Sequence, residues 1–340
     1  IGYGYSGGKN VNQSSLGSSD QFGWSVSLDG NRLAVGSRLD DGSSNNRSNS
    51  GAVYLYTFTD SSFSGAALAA TIGHGYSGGK NINQTLDNSD QFGSSVSLDG
   101  NRLAVGARTG DGYNNSRNWA GDVYLYTFTD SAFSGGALTA MVGHGYTGGK
   151  NINQTLSSDN FGWALSLDGN RLAVGAYYGD GASNNRDNSG EVYLYTFSNS
   201  TFSGGALAGM IGDGYSSGKN INQTLSNHDR FGAALSLDGN RLAVGAPDGD
   251  GSGNSSGSSG DVYLYTFTDS AFSGGALAGT IGYGYSGGKN INVSLNTSEY
   301  FGWAVSLDGN RLAVGAAFGD GTDSSGDEGE VYLYTFTDST

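Results

Sequence analysis

Five aspartates stand at near-constant intervals along the 340-residue chain: Asp41, Asp111, Asp180, Asp250 and Asp320, each followed by glycine. Carboxylate oxygens in short polar loops suit a hard cation, while an Asp-Gly pair in a solvated loop is also ordinary turn chemistry. A second recurrence is the N-x-S/T acceptor at Asn12, Asn83, Asn153, Asn222 and Asn292, the pattern that an exporting cell can glycosylate. Further acceptors fall at Asn46, Asn114, Asn199, Asn254 and Asn296. In a chain rich in Ser, Thr and Asn such triplets also arise by chance, and duplication copies a chance one. Lys9, Lys80, Lys150, Lys219 and Lys289 follow glycines, but no Ser or Thr comes next, so these are not phosphate loops. His74, His144 and His228 are too few for a five-fold scheme. His74 and His144 take the place of Tyr3 and Tyr283, which marks interchangeable turn residues. No nucleophile–histidine arrangement recurs. The chain reads as no enzyme.

Composition narrows the partners. Charged residues are 14% of the chain and the net charge is −15, a surface that repels nucleic-acid phosphates and tolerates cations. Without cysteine there is neither a disulfide framework nor a thiolate metal site. No run approaches the roughly 18 apolar residues of a membrane helix, so membrane insertion is not expected. The chain opens on Ile1 rather than Met, and is read as a mature chain or an excised piece.

The elements that position these residues repeat with them. FGxxxSLDGNRLAVG starts at Phe22, Phe92, Phe161, Phe231 and Phe301; VYLYTF starts at Val53, Val123, Val192, Val262 and Val331; a G-x-GYxxGKN block precedes each FG. Phe22 to Leu28 reads as a strand, Asp29-Gly30-Asn31 as a tight turn, and Arg32 to Gly36 as the returning strand. Ala34 and Gly36 put small residues on one face, where a neighbouring sheet can come close. Val53 to Phe58 is apolar on both faces and so is covered on both. Ala67 to Ile72 forms a fourth, outer strand. The expected fold is all-β: a five-bladed β-propeller of four-stranded antiparallel blades, with repeats at about 1–71, 72–141, 142–210, 211–280 and 281–340 forming one body. A closed ring is expected; an open stack of the same units is the alternative. The final blade lacks a counterpart of Ser270 to Thr280, so its VYLYTF strand is expected to be an unpaired edge, completed by a neighbouring copy or by sequence outside the chain.

Phe22-Gly23, the LAVGA of Leu103 to Ala107 and the GxVYLY of Gly121 to Tyr126 resemble the FG-GAP repeat family, the blades of integrin α-chain heads and of many bacterial surface proteins. The wording of the repeats is also similar to arrays in large exported bacterial haemagglutinin- or adhesin-like proteins. Integrin heads have seven blades, so the five here are not inherited from that resemblance. The resemblance implies calcium held by a DxDxDG-like run in the loop before VYLYTF. The matching oxygens are Asp248, Asp250, Ser252 and Asn254 in the fourth repeat. Elsewhere the runs are leaner: Asp40-Asp41 with Ser43 and Asn45, Asp111, Asp180, and Asp320 with Thr322 and Asp323. The recurring Arg32, Arg102, Arg171, Arg241 and Arg311 are expected to pair with carboxylates or carbonyls between blades. Two functions follow. One is an extracellular structural module of a surface fibre or giant surface protein, whose partners are its own copies or flanking repeats. The other is a multivalent adhesin or lectin that takes glycans or protein on loops carrying Tyr113, Trp119, Tyr177 and Tyr178.

Overall fold

Alternation of side chains decides the first three strands of every repeat. In the computed structural model, which describes residues 1–321 and 326–337, β1 (Phe22–Asp29) and β2 (Arg32–Ser37) pair antiparallel with Val26 opposite Val35 and Leu28 opposite Leu33. The turn between them is Gly30-Asn31, and of these two only Gly30 takes a positive φ, 56°. That is the glycine-first form of a two-residue hairpin. β3 (Ala52–Thr57) lies against β2 and places Tyr54 opposite Val35 and Tyr56 opposite Leu33. β4 (Ala67–Gly73) follows antiparallel, with a bulge at Leu55/Tyr56.

A fifth strand, β5 (Ile82–Asn83), runs parallel to the end of β4. The four-stranded expectation missed it because two residues show no alternation and the glycine-rich block before them reads as loop. The next three sheets repeat this order, while the last has three strands, Phe301–Asp308, Arg311–Ala316 and Glu330–Thr335. The architecture is an all-β, five-bladed β-propeller. Among the described residues no helix is long and apolar enough to cross a membrane.

The chain divides into two compact units, Ile1–Trp163 with Ser198–Gly205, and Ala164–Phe197 with Ala206–Thr340. Within the first, one core joins the forward face of the first blade (Ala34, Val53, Leu55) to the rear face of the second (Val96, Leu98, Tyr124, Tyr126). Within the second, equivalent cores join the third blade to the fourth and the fourth to the fifth. Burying one valine such as Val53 in this way contributes about 1.5–3 kcal/mol. Glycine sets the spacing. A Cβ on Gly36 would lie 2.0 Å from the Gly93 carbonyl oxygen, and one on Gly245 would lie 2.0 Å from that of Gly302. Any side chain there would push the sheets apart.

Candidate functional site

The Asp-Gly loop is held by its own aspartate. One carboxylate oxygen of Asp41 accepts the Asn49 N–H at 2.7 Å; Asp111 takes Trp119 at 2.9 Å, Asp180 takes Asn188 at 2.7 Å and Asp250 takes Ser258 at 2.8 Å. The backbone carbonyls of the same four residues accept the N–H of Arg47, Arg117, Arg186 and Ser256. The loop is also anchored through the carbonyls of His74, His144, Asp213 and Tyr283, which accept from Ser43, Tyr113, Ala182 and Ser252. The shared anchor is a backbone carbonyl, which is why histidine, aspartate and tyrosine interchange there; Asp213 adds a side-chain pair with Arg186 at 3.3 Å.

The fourth-repeat run does not converge. Asp248 pairs with Arg230 at 3.0 Å, the Asn254 amide donates to Ser226 Oγ at 2.7 Å, and Ser252 is engaged through its backbone N–H. Asp320 heads the fifth loop; Asp323 lies outside the described residues. Among the described residues no three His, Asp or Glu side chains gather so as to hold a metal ion. As folded, Asp41, Asp111, Asp180 and Asp250 each have one carboxylate oxygen engaged by a backbone N–H of their own loop.

Asp40 faces away from Asp41 altogether. It is 2% exposed, and its carboxylate accepts from the Tyr54 hydroxyl at 2.7 Å, the Gly42 N–H at 2.8 Å and the Tyr76 hydroxyl. In the second repeat glycine (Gly110) stands where Asp40 does, and a buried acid comes instead from the strand, as Asp122. A Cβ on Gly110 would lie 2.4 Å from Asp122 Oδ2. Gly249 and Asp261 repeat this at 2.4 Å, and Gly179 and Gly319 are backed by Glu191 and Glu330. The tyrosines follow: Tyr193 donates to Glu191 at 2.8 Å, Tyr285 to Asp261 at 3.2 Å and Tyr332 to Glu330. A second acid beside each FG, namely Asp20, Asp90, Asp159, Asp229 or Glu299, accepts a turn N–H two or three residues back.

Burial first, and then neighbouring acids, push Asp90, Asp122, Asp229 and Asp261 up to about 7. Among the described residues, one oxygen each of Asp122 and Asp261 is buried without a hydrogen-bond partner, an environment that favours the neutral acid. This acid–tyrosine hollow was not among the expected sites. Its signal was present in the acid directly before VYLY in four repeats, replaced by Asp40 in the one with Ala52.

A family model for the FG-GAP repeat matches residues 14–56, 86–126, 153–195, 225–265 and 295–334, more than half of the chain. The chain belongs to the FG-GAP repeat family. Each matched FG-GAP segment carries the two FG strands, the Asp-Gly loop and the start of VYLYTF. Among curated proteins none matches the chain significantly.

The other recurring residues of the FG-GAP chain also have internal partners. The five sequon asparagines are exposed, and Oδ1 of Asn12, Asn83, Asn153, Asn222 and Asn292 accepts the N–H of Gly4, Gly75, Gly145, Gly214 and Gly284, each at 2.7 Å. Their recurrence therefore has a structural cause. Lys80 and Lys150 donate to the carbonyls of Ala132 and Thr201 at 2.6 Å; Lys9 and Lys219 reach Ser62 and Ala271. Arg32 pairs with Asp29 of its own blade and, across to the next, donates to Asn101 Oδ1 at 3.2 Å and lies over Phe133. Its interblade acceptor is thus the carbonyl oxygen of a side-chain amide, while its carboxylate partner lies in its own blade. Of the four loop aromatics, Tyr113 and Trp119 are exposed, whereas Tyr177 is buried beneath Arg230 and cannot stack on a sugar.

Proposed function

We propose that this FG-GAP chain is a non-catalytic, extracellular structural repeat module, a building block of a surface fibre or very large surface protein. One observation carries the reading: the polar residues that recur in register are engaged inside a blade or with the next one. Asp41, Asn83, Lys80 and Arg32 hold loops and blades in place, which is the work of a scaffold. A site meant to be read by a partner would repeat with its polar groups turned outward. Glycans on the exposed sequon asparagines and weak calcium at the Asp-Gly loops are proposed as additions to that scaffold.

The second reading, an adhesin that binds glycans, is favoured by Tyr113 and Trp119, two exposed aromatics on one loop of the second blade. Rings of this kind stack on sugars. A glycan-array screen of the chain and of Trp119→Ala separates the two. The expected result is no retained sugar. A sugar held by the chain and lost by the variant would replace the scaffold reading with the adhesin one.

A further inference from the structure

Two arginines of the first compact unit meet at one neutral oxygen. Arg38 donates through Nε to Gln21 Oε1 at 2.7 Å and through Nη1 to Gln91 Oε1 at 3.0 Å, and Arg108 Nε donates to the same Gln91 oxygen at 2.8 Å. Tryptophans flank the pair. Arg38 Cζ lies 3.5 Å from the centre of the Trp24 ring, and Arg108 Cζ lies 4.3 Å from that of Trp163 and 5.8 Å from that of Trp24. The second repeat has the small Ser94 where the first and third have Trp24 and Trp163, which leaves the room that two guanidiniums take. All of these residues belong to the one unit, and Gln21 and Trp24 are exposed to solvent.

What this stack lacks is a negative charge. The hairpin arginines Arg32, Arg102, Arg171 and Arg241 each pair with the aspartate three residues before them. Among the described residues the partners of Arg38 are two amide oxygens and a ring, with no carboxylate. Asp20 and Asp90, next in sequence to the two glutamines, spend their carboxylates on the N–H groups of Gly17 and Asp87. Burial lowers the Arg38 pKa below the ordinary arginine value, the cost of drawing a guanidinium partly out of water. Like charges held this close also repel, and more strongly where water is thin. The fourth blade shows the same arrangement completed. There the arginine is Arg230, at the position of Gln21; it lies over the Tyr177 ring, and Asp248 pairs with it at 3.0 Å.

We propose that Arg38 and Arg108, held between Trp24 and Trp163, form a receptor for the carboxylate of an acidic polypeptide segment. The occupant is argued from the fourth blade, where an arginine over a ring is satisfied by an aspartate side chain that the chain itself supplies. Arg38 directs Nε and Nη1 at the glutamines and has its Nη2 hydrogens to give to such a group. The planar fork of a guanidinium matches a carboxylate, and the tryptophan rings hold the fork in place. The proposal goes beyond the scaffold reading and does not rest on it. That reading is carried by residues that recur in register, whereas the counterparts of Arg38 and Arg108 are Tyr177, Pro247 and Ala317.

The test titrates the whole chain with an N-acetylated, C-amidated oligoglutamate peptide in a calorimeter, with tryptophan fluorescence followed in parallel. The expected result is saturable binding that weakens as salt rises. Arg38→Gln should weaken it about tenfold or more, while Arg117→Gln, at an exposed arginine outside the stack, should leave it unchanged. Gln91→Glu supplies the carboxylate from within. It is expected to raise the melting temperature and abolish peptide binding, a loss that unfolding cannot explain. A parent that binds no peptide would overturn the proposal, as would an Arg38→Gln variant that binds like the parent. A lowered melt in Gln91→Glu would overturn it too, since the two cations would then have no need of an anion. So would sulfate or glucuronate saturating the site at lower concentration than the peptide, which would make it a site for an inorganic oxyanion or an acidic sugar.

Discussion

The first and second blades fill the same hollow with a carboxylate brought from opposite sides. In the first it arrives from the loop as Asp40, and the strand position is the small Ala52; in the second it arrives from the strand as Asp122, and the loop position is Gly110. What is fixed is a carboxyl group facing a tyrosine pair. The residue number that supplies it is free, provided that only one does. The largest expected effect breaks this rule. Gly110→Asp places two acids in one hollow and should cost about 3 kcal/mol or more, through overpacking and a buried like charge. Asp122→Ala alone should cost about 1–2 kcal/mol, from the tyrosine partners it leaves. The double variant converts the second blade to the pattern of the first and should cost less than either single change. Urea unfolding of the four proteins decides it, and simple additivity would show that the hollows are not equivalent.

The pH dependence sharpens the same comparison. Asp122 and Asp261 are raised from the ordinary 3.8 to about 7, so the folded chain holds these protons more tightly than the unfolded one. Stability from this source is fully present below 3.8 and is lost as pH rises through about 7. The melting temperature should therefore be higher at about pH 5.5 than at about pH 8, and Asp122→Asn should flatten part of that slope. Asp60, Asp130 and Asp269 are lowered by backbone N–H groups and act in the other direction, but only in more acid solution, outside this window. A melt that falls from neutral to mildly acid pH would show the hollow to be ionised and otherwise satisfied.

A smaller contrast lies between the second and fifth blades. The Tyr126 hydroxyl donates to Gln84 at 2.8 Å, and Tyr56 and Tyr265 repeat this with Gln13 and Gln223. In the fifth blade the position is Val293, and the Tyr334 hydroxyl is buried without a partner among the described residues. Tyr126→Phe should lose about 1 kcal/mol, whereas Tyr334→Phe should be neutral or slightly stabilising. Equal losses in thermal melts would mean that Tyr334 has found another acceptor.

Much of the fold was legible because the repeat prints its pattern five times. The Gly30 turn, the two-faced VYLYTF strand and the small face of Ala34 and Gly36 each have one physical reading. Other roles were not legible, because a hydrogen bond across a loop or to the next blade leaves no pattern in the sequence. Asn31 looks like a turn residue, yet its counterpart Asn101 serves as the acceptor for Arg32 of the preceding blade. Asn83 looks like a glycosylation acceptor and caps the Gly75 turn. Asp40 beside Asp41 looks like a ligand pair, but one side chain turns inward to tyrosines and the other outward to the loop. Sequence adjacency gives no sign of that divergence; the compensating Ala52 does.

The smallest effect concerns calcium, and it tests whether the two neighbours differ as described. Asp41, Asp111, Asp180 and Asp250 each have one carboxylate oxygen engaged by a backbone N–H, so a cation would meet a partly used loop. At a calcium concentration equal to the dissociation constant, one site adds about 0.4 kcal/mol. For a chain of this size that is a shift of about 1 °C in the melt. Asp250→Asn should remove the fourth loop's share, while Asp40→Asn should leave the calcium increment intact because Asp40 faces the tyrosines. Identical melts in calcium and in chelator would remove calcium from the account. A rise of many degrees would mean that the loops open to form a full oxygen shell, and the bonding of Asp41 and Asp250 to Asn49 and Ser258 would then describe only the metal-free state.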